Sequence, residues 1–290
     1  MRIGVVLLMI YEKVDLNKEF PGLPKNERSA ILECYCRSKL YNCENDKFPA
    51  MVVCPGGGYW GTAPHEGEPV ALAMLGEGIQ GFVLWYTVPD SCWPQYHLEL
   101  AAALAWIRKN AERLGVDENA ISVLGFSAGC HLAGSYSVNW SDPLFSETLG
   151  VEKEAVRPNG MVLCYGVLFS EGEFSHQGSI NNLFKGTQTP ELLKKMSVAD
   201  NVTDETPPAF IWHTADDEGV PVENSLSVAA ALRAARRPFE LHVYPHGNHG
   251  LSIATWVIEH PDNRARKDRT VSKWVRDCTD WVLRTFGYDY

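Results

Sequence analysis

Short apolar runs alternate with longer helix-patterned stretches along most of this chain, and that alternation restricts the fold more than any other feature. "ERSAILECYCRSK", "AMVVCPGGGYW", "QGFVLWYTV", "AISVLGF", "NGMVLCYGV", "PAFIWHTA" and "FELHVYP" read as strands. Between them, "GEPVALAMLGEG", "YHLELAAALAWIRKNAERLGV", the residues after Ser127, "VENSLSVAAALRAARR" and "RTVSKWVRDCTDWVLRTFG" read as helices. In the clearest of these, Leu98, Ala102 and Ala105 fall near one face, with Ile107 closing the apolar run, and Gly115 supplies a stop. A helix between two strands is the crossover that parallel pairing needs, because no tight turn can join parallel neighbours. The pattern therefore predicts an α/β fold: a mainly parallel sheet with helices on both faces.

No repeat, low-complexity tract or Gly/Ser-rich linker divides the 290 residues, so residues 1–290 read as one domain. Residues 170–205 are polar and carry little strand pattern. They read as a cap or lid inserted beside the carboxyl edge of the sheet, where such folds bind ligands.

Charge and cysteine content exclude several functions. With 26 Lys+Arg against 36 Asp+Glu, the net charge is −10. A chain this acidic lacks the basic surface of a phosphate-backbone binder, so no nucleic-acid partner is expected. Cys34 and Cys36 form a C-x-C with Cys43 downstream, but no second pair completes a zinc-site spacing. These thiols, with Cys54 and Cys164, read as strand residues rather than as metal ligands or a disulfide framework. The opening "MRIGVVLLMI" is too short to span a bilayer, and no small-x-small cleavage site follows. It reads as a leading strand, or as an extension ahead of a start at Met9, and the protein is expected in the cytoplasm with no membrane partner.

The chemistry centres on "VLGFSAGCHLAG", a G-x-S-x-G between a predicted strand and a predicted helix. That is the setting of a nucleophile elbow, in which Gly125 and Gly129 would let a sharp turn expose Ser127. A serine hydroxyl needs a base and an acid to orient it, and both follow in chain order. "HTADDEGVPVENS" offers Asp216 or Asp217 after one strand, and "YPHGNHGLSIA" offers His246 or His249 after another. His131 lies too close behind the serine in its helix and reads as a packing or capping residue. "CPGGGYWG" places Gly56 to Gly58 after a strand, where side-chain-free N–H groups could meet an oxyanion; no Walker-type lysine follows.

The set "PGGGYWGTAPHEGEPVA", "VLGFSAGCHLAG", "IWHTADDEGVPVENS" and "HGNHGLSIA" resembles the α/β-hydrolase serine esterases, from about Tyr11 to the carboxyl terminus. The closest group is the carbohydrate acetylesterases known as acetyl xylan esterases, near the BD-FAE and hormone-sensitive-lipase-like branches. The resemblance implies Ser127 as nucleophile and Asp217, three before the Val-Pro pair, as acid. It implies His249, directly before Gly-Leu-Ser, as base, and the backbone of Gly57, Gly58 and Ala128 as oxyanion donors. The chain departs from the pattern at Pro55, where the lipase-like branch carries histidine, and at Cys130, where glycine is usual. The implied reaction is removal of a small acyl group from an ester, such as an O-acetylated sugar, with no metal or organic cofactor. Tyr59, Trp60 and Trp93, near the motif loops, are candidates for stacking on a sugar ring. An amidase, formamidase or peptidase would use the same residues, a binding module would need none of them, and a Cys130-dependent thiol enzyme has no base placed for it.

Overall fold

A computed structural model of the chain describes residues 9–38, 47–259 and 267–288. Residues 1–8 and Cys43 lie outside them, and so does the reading of the opening run. Eight strands are present among the described residues: β1 (Met9–Asp15), β2 (Ile31–Arg37), β3 (Phe48–Cys54), β4 (Gln80–Trp85), β5 (Val116–Phe126), β6 (Gly160–Cys164), β7 (Ala209–Thr214) and β8 (Phe239–Tyr244). They form one sheet in the order β1-β2-β4-β3-β5-β6-β7-β8. β1 and β2 run antiparallel at one edge, and the six strands from β4 to β8 are mutually parallel.

The helices are α1 (Leu16–Glu19), α2 (Glu68–Gly76), α3 (Gln95–Lys109), α4 (Ala111–Leu114), α5 (Ser127–Asn139), α6 (Pro143–Leu149), α7 (Gln177–Phe184), α8 (Pro190–Met196), α9 (Glu223–Ala234) and α10 (Trp274–Phe286). Side chains alternate across the sheet and divide the core into two layers. Val52, Val123, Leu163 and Ile211 pack with α3, α5 and α9. Val53, Leu124, Val162 and Phe210 pack on the other face with α2 and α10. Helices therefore cover both faces, as the alternation predicts. Cys34 and Cys36, two apart in β2, share the first layer and are buried in it.

The residues after the opening run contribute β1, which the apolar pattern does not mark because its side chains are half-exposed at a sheet edge. One expectation needs correction: the sequence pattern gives α3 a single apolar face, yet every residue from Gln95 to Ile107 is buried. It touches α1, α5, α6 and β5, so neighbours surround it until Arg108 and Lys109. The predicted stop is in place: Gly115 takes a left-handed φ of 63° after α4.

A tight turn joins β5 to α5. A Cβ on Gly125 would lie 2.1 Å from the carbonyl oxygen of Gly129, and one on Gly129 would lie 2.1 Å from that of Cys54. Both contacts are with backbone, which cannot rotate away. Gly129→Ala is accordingly expected to lose about 3 kcal/mol of stability by overpacking, read as a lower denaturation midpoint; an unchanged midpoint would contradict this close approach.

Candidate active site

Parallel strands bring their carboxyl ends to one edge of the sheet. β3 leads there into Gly56–Gly58, β5 into Ser127, β7 into Asp217 and β8 into His249. Ser127 has φ 52°, a left-handed conformation that a non-glycine residue adopts at a cost. The hydroxyl oxygen of Ser127 lies 2.8 Å from Nε2 of His249, and Nδ1 of His249 lies 2.8 Å from Oδ2 of Asp217.

Asp217 is buried, with its carboxylate surrounded by donors. Oδ1 accepts from the N–H groups of Gly219 (2.8 Å) and Val220 (2.9 Å). His213, whose Nε2 donates to the Val220 carbonyl at 2.9 Å, lies 3.5 Å from Oδ2. Burial alone would raise the Asp217 carboxyl, but the imidazoles of His213 and His249 and the Val220 N–H outweigh it and hold it well below the usual carboxylate range. An ionised Asp217 fixes the His249 proton on Nδ1. Nε2 is then free to accept from the Ser127 hydroxyl.

The neighbouring pair is separate. Asp216 and His246 contact each other at 2.9 Å on the exposed side of the same loops. His131 is buried between the Tyr59 hydroxyl (2.9 Å) and the Met196 carbonyl (3.1 Å), and burial lowers its pKa to about 4. It packs, as its sequence position implies.

A cavity of about 340 Å³ lies over Ser127 and His249. Its wall includes Gly57 and Gly58, at φ 128° and 64°, whose N–H groups have no acceptor among the described residues. Ala128, the third expected donor, is buried beside Ser127 in the first turn of α5, where a helix leaves its N–H groups without internal partners. The rest of the wall comes from Ala63, His65, Glu66, Gly219, Val220 and Gly250, with His176 and Ser179 at the start of α7.

Three aromatic candidates do not line this cavity. Tyr59 is fully buried, stacked on Tyr96 with ring centroids 5.3 Å apart. Trp93 packs edge-on against His97 at 4.6 Å and faces a different hollow, beside Pro24 and Lys185. Trp60 is 73% exposed on the glycine turn, outside the cavity wall. Nearness in sequence to a motif loop does not fix the side to which a ring turns. Conversely, sequence reasoning passed over His65, Glu66, His176 and Ser179. "HEGEPVA" stood inside a recognised motif, but nothing local marks Glu66 as a cavity residue.

The BD-FAE family model matches residues 39–232. Endo-1,4-beta-xylanase B of Butyrivibrio fibrisolvens is 38% identical over 224 residues, which cover 74% of this chain and 34% of that protein. The acetylxylan esterase of Xylanibacter ruminicola is 29% identical over 264 residues, 89% of this chain and 51% of that one. The chain thus spans about a third to a half of these curated relatives. Among solved structures, the acetyl ester-xyloside bifunctional hydrolase of Caldicellulosiruptor lactoaceticus superposes with a TM-score of 0.80 at 34% identity. That match covers 98% of this chain and 99% of that one. Among the described residues, no helix is long and apolar enough to cross a membrane.

Proposed function

The chain belongs to the BD-FAE family of α/β-hydrolases, and from that premise we propose that it is a serine carboxylesterase releasing small acyl groups, chiefly acetyl, from O-acetylated carbohydrates such as xylan fragments. The observation that carries this reading is the unbroken line from Asp217 through His249 to Ser127, 2.8 Å at each step, opening onto a cavity whose wall also carries the side chains of His65, Glu66, His176 and Ser179.

In the reaction, Nε2 of His249 takes the Ser127 proton as the oxygen attacks the ester carbonyl, and Asp217 supports the imidazolium. Negative charge gathers on the carbonyl oxygen, where the N–H groups of Gly57, Gly58 and Ala128 are the donors available to it. His249 then gives its proton to the departing alcohol. Water, deprotonated by the same nitrogen, then attacks the acyl carbon; the bond to the Ser127 oxygen breaks, that oxygen takes the proton back from His249, and acetate leaves.

The cavity wall supports a short acyl group. Val220 is its one branched aliphatic residue, and glycines supply much of the remainder. Burying a methylene against aliphatic side chains is worth about 0.8 kcal/mol, and among the described residues only Ala63 and Val220 offer this wall such side chains. The saccharide part of the reading draws on the names of the xylan-acting relatives and on the polar side chains at the wall.

The test compares 4-nitrophenyl acetate, butyrate and octanoate, then 4-nitroacetanilide and acetylated xylo-oligosaccharides. The expected result is kcat/KM highest for acetate, falling by about tenfold or more to octanoate as the longer chains find few aliphatic side chains beyond Ala63 and Val220, with acetate released from the oligosaccharides. Preference for octanoate would overturn the small-acyl reading, and faster anilide than ester cleavage would point to an amidase.

A further inference from the structure

Glu66 lines the cavity over Ser127 but takes no part in the steps above. It is only 2% exposed, and both carboxylate oxygens are engaged. Oε2 accepts the Gly56 N–H at 2.8 Å, and Oε1 accepts the Tyr165 hydroxyl proton at 2.7 Å. The Tyr165 oxygen in turn accepts the Ser252 N–H at 2.9 Å, which leaves its own proton for Glu66. The glycine turn after β3 is thereby tied, through one carboxylate, to the loop that carries His249.

The surroundings make this tie geometrically exacting. A Cβ on Gly56 would fall 2.7 Å from Oε2 of Glu66 and 3.0 Å from Cβ of Ser127, so carboxylate, turn and serine are packed with nothing between them. The Tyr165 ring meets the His249 ring edge-on at 5.1 Å. Tyr165 and Ser252 both have left-handed φ values, 36° and 49°, which persist only where surrounding contacts hold them. The Ser252 hydroxyl also donates to the His65 carbonyl at 2.6 Å, closing the network back onto the segment that carries Glu66.

We propose that Glu66 is a positioning residue: through Gly56 on one side and Tyr165 on the other, it sets the spacing between the N–H groups of the glycine turn and the His249 imidazole. This rests on the Ser127 esterase reading. A tetrahedral intermediate must meet both groups at once, so a shift of one relative to the other lowers kcat while ground-state binding changes little.

Glu66→Gln tests it. Whichever way the amide turns, its NH₂ replaces an acceptor needed by either the Gly56 N–H or the Tyr165 hydroxyl. The expected result with 4-nitrophenyl acetate is a kcat lower by about 10- to 100-fold with KM within about threefold, and a thermal midpoint lower by several degrees, about what one unsatisfied buried donor costs. Tyr165→Phe, which keeps the ring on His249, is expected to lose about tenfold in kcat. The double variant should be no slower than the slower single, because both changes cut one network. A Glu66→Gln kcat within twofold of wild type, or losses that multiply in the double variant, would overturn the proposal. If Glu66→Gln does not fold, Tyr165→Phe at wild-type kcat overturns it alone. Ser127→Ala in the same assay separates the two claims: an inactive Ser127→Ala beside a fully active Glu66→Gln removes the positioning role and leaves the esterase reading intact.

Discussion

Ser127→Ala is expected to slow hydrolysis of 4-nitrophenyl acetate by about 10⁴- to 10⁶-fold in kcat, the range set by removing a serine nucleophile from such a constellation. The size of the loss follows from the lack of a substitute. The Cys130 thiol, three residues away, is fully buried, and burial pushes it well above the usual thiol range, so no thiolate forms there. His131 is held by Tyr59 and Met196. Alanine fits the left-handed position no worse than serine does, so the variant should fold with a similar thermal midpoint. A variant retaining more than about a tenth of wild-type kcat would remove Ser127 from the reaction, since no catalytic nucleophile is that dispensable.

Asp217→Asn is expected to cost about 10⁴-fold in kcat near neutral pH, by changing which nitrogen of His249 holds the proton. The N–H groups of Gly219 and Val220 both point at Oδ1 and require an acceptor. The new amide must therefore keep its oxygen there and turn its NH₂ toward His249. Nδ1 then faces a donor and becomes the acceptor, so the ring proton moves to Nε2, which can no longer accept from Ser127. Asp216→Asn and His246→Ala provide the contrast. That pair lies at 2.9 Å on the exposed side of the loops and touches neither Ser127 nor the cavity wall. Both variants should keep kcat within about twofold of wild type, as expected of changes distant from the reacting atoms. Equal losses at Asp216 and Asp217 would contradict the assignment.

The sheet was legible in the sequence because buried parallel strands are nearly uninterrupted apolar runs, and the residues after each run had to meet at one edge. That Ser127, Asp217 and His249 would come together there was legible for the same reason: three reactive residue types followed three such runs. Adjacent residues were not separable in this way. Asp216 and Asp217 differ only in which side of a turn they face, and motif resemblance chose between them before hydrogen bonds did. Tyr59 and Trp93 failed as cavity residues because ring direction depends on packing partners far away in sequence, Tyr96 for one and His97 for the other. Glu66 was invisible for a related reason. Its partners Gly56 and Tyr165 are 10 and 99 residues distant, and a carboxylate between glycine-rich segments resembles a solvated loop residue until the sheet closes around it.

The most direct test of the account is covalent trapping. Wild-type protein treated with an organic fluorophosphonate, digested and analysed by mass spectrometry, should carry one phosphonyl group per chain, on Ser127. Ser127→Ala should carry none, and Asp217→Asn should react far more slowly. An adduct on any other residue, or full esterase activity after stoichiometric treatment without an adduct on Ser127, would contradict the central claim that Ser127 is the nucleophile.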